Sequence, residues 1–475
     1  MPKILRNCLK ICWVLMVLLA CSIANVAAQE SLPESLPETG SGFLNNTIDA
    51  NHELLVSLDD CVKMALLNNK EIRASDYDIE AAQWRLREAK AGGMPVVEYS
   101  VELGPAPTDI DNALESMFNG NITLASRFRL ELGIPVYTFG KLAIAQSLAK
   151  DGVQAERVKK EQKENEIVVK VKKLYWGILL ARDLIALLKE AEGHLSAEIR
   201  RKESDEKEPP DPVAITKLKL FRFETSKKLY EAEQKEQLAV EGLRITLGVS
   251  KNYSLSILNK HLQPANFNVK EFQSYLTGER KNNPDEKLLN IGLQAKEKQY
   301  RLEKRALLPD IGAGGLFEFG VSTDPITGLA ADDDFNNPFN FVRAAVGVRL
   351  RGKLDINGQV SKIKRTQAEY YSAALKKSIA KEGLELDLRK QFEEVKRAKQ
   401  ELEDSDKGRQ LARQLVFLTK SNLDIGIGEP NEYADALKQY LIMRGRYLES
   451  TFNYNTTVAE LEAKIQSASE LVQAR

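Results

Sequence analysis

The chain has 475 residues, 29% of them charged and 7% aromatic, and Lys plus Arg equals Asp plus Glu at 68 each, so the formal net charge is zero. That balance argues against the basic surface a nucleic-acid partner needs, and high charge with few aromatics suits long solvated helices. Once a leader ending at Ala28 is removed, Cys61 alone remains of four cysteines, so no disulfide framework is available.

The first 28 residues have the pattern of a signal peptide. Lys3, Arg6 and Lys10 precede an apolar run from Ile11 to Ala20, and Val26-Ala27-Ala28 offers a small-residue cleavage site. A second reading stays open: Leu18-Leu19-Ala20-Cys21-Ser22 resembles a lipobox, which would leave Cys21 lipidated. Either way the protein is expected to leave the cytoplasm. The apolar run is shorter than the roughly 20 residues of a membrane helix, and no later stretch approaches that length. Any membrane crossing is therefore made by strands. Residues 29–56, rich in Ser, Pro, Glu and Gly, read as an extended lead-in.

Beyond this, the chain repeats itself. Asn68-Asn69 through Pro95 matches Asn282-Asn283 through Pro309 without a gap, so residues 57–250 and 282–468 are read as two copies of one unit. Residues 251–281 join them and 469–475 form a tail. Each unit reads as helix, two strands, then two long helices. Ser57 and Asp60 make a capping box, and Leu58, Val62, Ala65 and Leu66 begin a helical pattern that continues to about Ala91, where Gly92-Gly93-Met94-Pro95 ends it.

Strands are expected at about 96–104, 121–135, 310–321 and 339–350. In the second, Ile122, Leu124, Phe128, Leu130, Leu132 and Ile134 share one face while Arg127, Arg129 and Glu131 share the other. The third alternates Ile311, Phe317, Phe319 and Val321 against Gly312, Gly314 and Glu318. After a polar loop holding Asp332-Asp333-Asp334, the fourth sets Val342, Val346, Val348 and Leu350 against Arg343 and Arg349. The first, from Val96, has the weakest alternation. Nine to eleven residues suffice for a tilted transmembrane strand.

Gly140 and Gly358 open helices of about 60 and 66 residues, roughly 90 and 100 Å long. The hairpins 141–248 and 358–468 are completed by returning helices from Val213 and Pro430, after breakers at Ser204 to Pro212 and Asp424 to Glu429. Such lengths imply coiled-coil-like packing. Four strands with a lipid-type face leave open edges, and known membrane barrels need at least about eight strands. Two, three or four copies of the chain would satisfy this.

These features resemble the TolC-type outer-membrane factor family. Leu58-Asp59-Asp60 with Ala65-Leu66 resembles its opening helix, and Gly133-Ile134-Pro135-Val136 with Phe139-Gly140 its strand-to-helix junction. Tyr175-Trp176 sits where the family has an aromatic in its first long helix. Val213-Ala214-Ile215-Thr216 with Leu247-Gly248, and Gly426 to Asp435 with Tyr447-Leu448 and Asn453-Tyr454-Asn455, resemble its returning helices. The resemblance implies a mainly α fold with a membrane β-barrel portion: a homotrimer with a 12-stranded barrel in outer-membrane lipid and a long α-helical periplasmic tunnel. It implies an exit duct of a tripartite efflux pump or type I secretion system. The partners would be a periplasmic adaptor (membrane fusion) protein and an inner-membrane pump of RND or ABC type. The location would be the outer membrane of a Gram-negative bacterium.

Glu432 and Asp435 stand three apart in the first turns of the last helix, on one face. Carboxylates there also suit the helix dipole in any protein. The resemblance implies that they form acidic rings at a periplasmic gate, opposite Thr216 and Lys217. The family's lock between positions matching Lys217 and Gly428 cannot form with these residues, so a reversed pairing of Lys217 with Glu432 or Asp435 is expected. Pro210, Val213, Asp424, Gly426 and Gly428 mark the tips that would meet the adaptor, and Arg127, Arg129, Arg343 and Arg349 would line the barrel lumen.

Enzyme chemistry finds no support. His52, His194 and His261 are scattered, and Gly312-Ala313-Gly314-Gly315 lacks the lysine of a phosphate loop. No cofactor or metal is implied. The competing reading is a periplasmic coiled-coil structural or adaptor protein, for which one hairpin without strands would suffice.

Overall fold

A computed structural model of the chain describes residues 53–204, 212–276, 283–328, 337–425, 427 and 430–465, within a unit Asp49–Arg475. The signal sequence with Cys21, most of the lead-in, the Asp332-Asp333-Asp334 loop and the tail lie outside these residues.

Strand β1 (Glu53–Val56) leads into helix α1 (Leu58–Asn68). The Asp60 amide donates to the Ser57 hydroxyl and the Ser57 amide to the Asp60 carboxylate, each at 3.2 Å, which satisfies two otherwise orphaned donors. The single helix expected from here to Ala91 is two. Asn69 takes extended backbone angles (φ −63°, ψ 129°) and its side-chain oxygen accepts from the amides of Glu71 and Ile72, opening α2 (Lys70–Ala91). Asparagine competes for backbone donors as a cap, and apolar spacing continuous across it conceals the break.

Strands β2 (Val96–Pro107) and β3 (Ile122–Tyr137) follow, linked through the short helix α3 (Ala113–Phe118). In the second copy, β5 (Asp310–Ser322) and β6 (Phe341–Arg351) pair with them as one antiparallel sheet in the order β2-β3-β5-β6. Its register puts Val101, Phe128, Phe319 and Val342 in one cross-strand row and Ser100, Arg129, Glu318 and Arg343 in the next. Rows therefore alternate apolar and polar, and the sheet has two unlike faces. On the apolar face Val346 is 92% and Val348 77% exposed. Strands β2 and β6 are its two edges.

A bulge between Pro135 and Tyr137 ends the β3–β5 ladder. Phe139 (φ 51°) and Gly140 (φ 74°) then turn the chain into α4 (Lys141–Glu203). A side chain on Gly140 would meet only the Arg305 guanidinium, the movable end of a long side chain, so it is the left-handed backbone that calls for glycine here. Lys141 ties the junction to the second copy, donating to the Leu308 carbonyl at 2.8 Å and pairing with Asp310 at 2.7 Å.

Helix α4 has 63 residues and α7 (Ile356–Asp424) has 69, lengths of about 95 and 104 Å. They pair with the returning helices α5 (Pro212–Leu247) and α8 (Pro430–Ile465), while α6 (Pro284–Arg305) packs on both α4 and α7. Along α4 the buried Val168, Val171, Tyr175, Ile178 and Ile185 recur at steps of three, four and seven residues, the stripe that turns a charged helix inward. No described helix is long and apolar enough to cross a membrane.

The segment between the copies packs on the helices at mid-length. Strand β4 (Ser254–Ile257) pairs in parallel with β1, burying Leu54, Val56, Leu255 and Ile257. Asn455 on α8 then holds the following chain, accepting from the Ala265 amide at 2.7 Å and donating to the Gln263 carbonyl at 2.8 Å. Tyr275 closes the layer in a cluster with Phe392, Val395, Tyr454 and Leu461. Burying each such side chain stabilises by about 1.5–3 kcal/mol.

Candidate functional site

Two regions carry the residues singled out from the sequence. At the helical tips, α8 begins with Glu432 and Asp435 both exposed while Ala436 between α8 and its neighbours is buried. A cleft of about 450 Å³ opens where α4, α5 and α8 meet, lined by His194, Glu198, Lys217, Phe221, Asp435 and Lys438 among others. The structure thus brings Lys217 and Asp435 to one cleft, of which Glu432 is not a lining residue. Among the described residues no ion pair within 4 Å joins Lys217 to either acid in the single chain. Lys438 instead lies over the Phe221 ring, 5.1 Å from its centre, and Lys420 over Tyr433 at 5.8 Å. These cation–π contacts brace α8 against α5 and α7.

The other tip residues have local roles. The Thr216 hydroxyl donates to the Pro212 carbonyl at 2.7 Å, inside the first turn of α5. Asp424 pairs with Lys420 one turn earlier at 3.1 Å, and Val213 is exposed. Pro210, Gly426 and Gly428 lie outside the described residues.

On the polar face of the sheet, Arg127, Arg129 and Arg343 converge, and Arg349 stands apart, opposite Gly312. At the centre is Glu318, which the sequence sets with Gly312 and Gly314 on the face opposite Phe317 and Phe319, without a role. Its carboxylate lies 3.1 Å from Arg129 and 3.6 Å from Arg127, and Arg343 is its cross-strand partner on β6. Arg127 also pairs with Glu102 at 3.6 Å. Alternation assigns these groups to one face. Only the pairing of β3 with β5, almost two hundred residues later, makes them neighbours.

Two ion pairs, each with one buried member, join helices. Lys172 on α4 reaches Glu462 on α8 at 2.6 Å, and Lys298 on α6 reaches Asp151 on α4 at 2.5 Å. Burial pushes the Cys61 thiol up to about 12, with the Asp60 charge adding to the effect. Burial also raises Tyr175 to about 12; its hydroxyl donates to the Asn259 side chain at 2.6 Å. Among the described residues no group of three or more His, Cys, Asp or Glu could hold a metal ion.

Residues 61–202 match the family model described as outer membrane efflux protein. No curated protein matches the sequence. Among solved structures, the chain is similar to the Campylobacter jejuni CmeC outer membrane channel, with 16% identity and a TM-score of 0.69 over 94% of this chain and 93% of that one. It is similar to the open-state Neisseria gonorrhoeae MtrE outer membrane channel at 13% identity and TM-score 0.69, over 86% and 88%. The Vibrio cholerae outer membrane protein VceC follows at 13% and 0.67, over 86% and 96%. At these identities the likeness is one of fold, and the fold is mainly α with a barrel-forming sheet. Residues 61–202 thus carry a match to the outer membrane efflux protein family, a family of channels and not of enzymes, and the chain as a whole has the fold of the outer-membrane channels.

Proposed function

We propose that three copies of this chain form an outer-membrane exit duct, the passive final segment of a tripartite efflux pump or a type I secretion system. The observation that carries the reading is the four-stranded sheet with open edges and a bare apolar face, Val346 and Val348 being 92% and 77% exposed, at the root of two long helical hairpins. Unpaired strand edges in hydrocarbon are untenable. Pairing β6 of one copy with β2 of the next removes them. Three copies, the number the family resemblance implies, give twelve strands with valine and leucine toward lipid and the arginine row toward water.

The hairpins then extend into the periplasm as a tunnel. Their tips, around Pro210, Val213, Asp424, Gly426 and Gly428, would meet an adaptor protein that links the duct to an inner-membrane pump of RND or ABC type. Glu432 and Asp435, exposed at the start of α8, would repeat around the axis as acidic rings that favour cations. Thr216 and Lys217 would sit on the facing tip.

The test is single-channel conductance of detergent-purified protein in planar bilayers, with the reversal potential taken across a salt gradient. A small cation-selective conductance that rises and loses selectivity in Glu432→Ala/Asp435→Ala supports duct and gate together. Folded oligomers that conduct nothing would return the chain to a periplasmic structural role.

A further inference from the structure

Glu318 points to the polar face of the sheet and is nevertheless only 6% exposed. Its cover is the arginine cluster and the chain that enters β6. The Arg127 guanidinium, paired with Glu318, also donates to the Pro338 carbonyl at 3.4 Å, and Arg343 donates to the Asn337 carbonyl at 3.5 Å. Both guanidiniums stand against the Phe341 ring, 5.7 and 4.3 Å from its centre.

The residues they hold form a strap of their own. Asn337 is buried, and its side-chain oxygen accepts from the amides of Phe339 and Asn340 at 2.9 and 2.8 Å. The Asn340 side chain accepts in turn from the Ser322 amide at 2.8 Å. Position 320 is glycine, and this leaves room for the strap. A Cβ there would come within 2.5 Å of the Phe339 carbonyl and 2.8 Å of the Phe341 ring. Residues 337–341 therefore lie over the polar face, held by charge, by ring stacking and by a missing side chain. The two strand connections are also joined: the Thr327 amide donates to the Thr108 carbonyl at 2.7 Å and the Ile110 amide to the Thr327 carbonyl at 3.0 Å.

Resting on the reading of this face as the lumen, we propose that the strap 337–341 is a constriction at the strand-connection end of the duct, distinct from the helical tips. Glu318 is its positioning residue. Without that carboxylate, guanidiniums gathered on one face repel one another and turn toward water, and the strap loses both of its arginine contacts.

The experiment compares wild type, Glu318→Gln and Gly320→Ala by single-channel conductance. A parallel Cys61→Ala/Phe339→Cys background reports the labelling rate of the strap by a membrane-impermeant maleimide. Both variants are expected to label faster and to conduct at least about twofold more, as loss of one of a pore's constrictions implies. Gly320→Ala changes no charge, so it decides the matter if Glu318→Gln fails to assemble. Conductance unchanged in the folded variants, whatever their labelling, overturns the constriction alone. A wild type that conducts nothing overturns the duct reading and the constriction with it.

Discussion

Asn69 and Asn283 hold matching places in the two copies and do the same two things. Each side-chain oxygen caps a helix, Asn69 accepting from Glu71 and Asn283 from Asp285, both at 2.8 Å. Each side-chain amide donates to the end of its returning helix, Asn69 to the Thr246 carbonyl at 2.8 Å and Asn283 to the Lys464 carbonyl at 3.4 Å. The duplicated sequence is thus a duplicated staple between the helix before the strands, α2 or α6, and the returning helix of each unit. Asn69 is 4% exposed and has the shorter bond. Asn69→Ala is expected to destabilise by about 2 kcal/mol and Asn283→Ala by about 1 kcal/mol, read as the drop in thermal unfolding temperature in detergent.

Lys172 and Glu462 are nearly buried, their side chains 7% and 15% exposed. Removing one member leaves a charge without its counter-ion in a low-dielectric setting. Lys172→Met should destabilise by about 3 kcal/mol, while Lys172→Met/Glu462→Leu should recover most of the loss. A double-mutant cycle by chemical denaturation checks this; equal losses in single and double variants would refute the coupling.

Alkaline pH should loosen the helical body. Cys61 is raised from 9.0 to about 12 and Tyr175 from 10.0 to about 12 in the folded chain. Both groups are held protonated by folding, so their contribution is complete below the unfolded values and is lost as pH rises from about 9 toward 12. The unfolding temperature should fall across that window. Cys61→Ala and Tyr175→Phe should each make the fall shallower, the second from a lower starting point because it also loses the bond to Asn259.

Lys217 and Asp435 line one cleft, and among the described residues no ion pair within 4 Å joins them. If they face the duct, Lys217→Ala raises cation selectivity and Asp435→Ala lowers it, with unfolding temperatures nearly unchanged because exposed charges contribute little to stability. Reversal potentials that shift in the same direction for both variants would remove these residues from the ion path.

The start of the last helix at Pro430 was legible because helix starts carry local signals: proline at the first turn and acids behind it. Strand faces were legible for the same reason, since a period of two is a property of neighbouring residues. The break at Asn69 was hidden because the apolar pattern continues through it. The β1–β4 pair joins residues about two hundred positions apart, and Leu54 to Val56 is too short to show alternation.

Glu318 marks the boundary between the two kinds of information. Sequence by itself determined the duplication, the helix lengths, the two-faced strands and the acidic start of the last helix, because each rests on spacing within a few turns or strands. Only the tertiary structure decided that β3 lies beside β5, that two arginines share one carboxylate with a third across the strand from it, and that the chain before β6 folds over them. Register between distant strands is set by which rows of side chains pack together, and that competition is settled by the whole sheet.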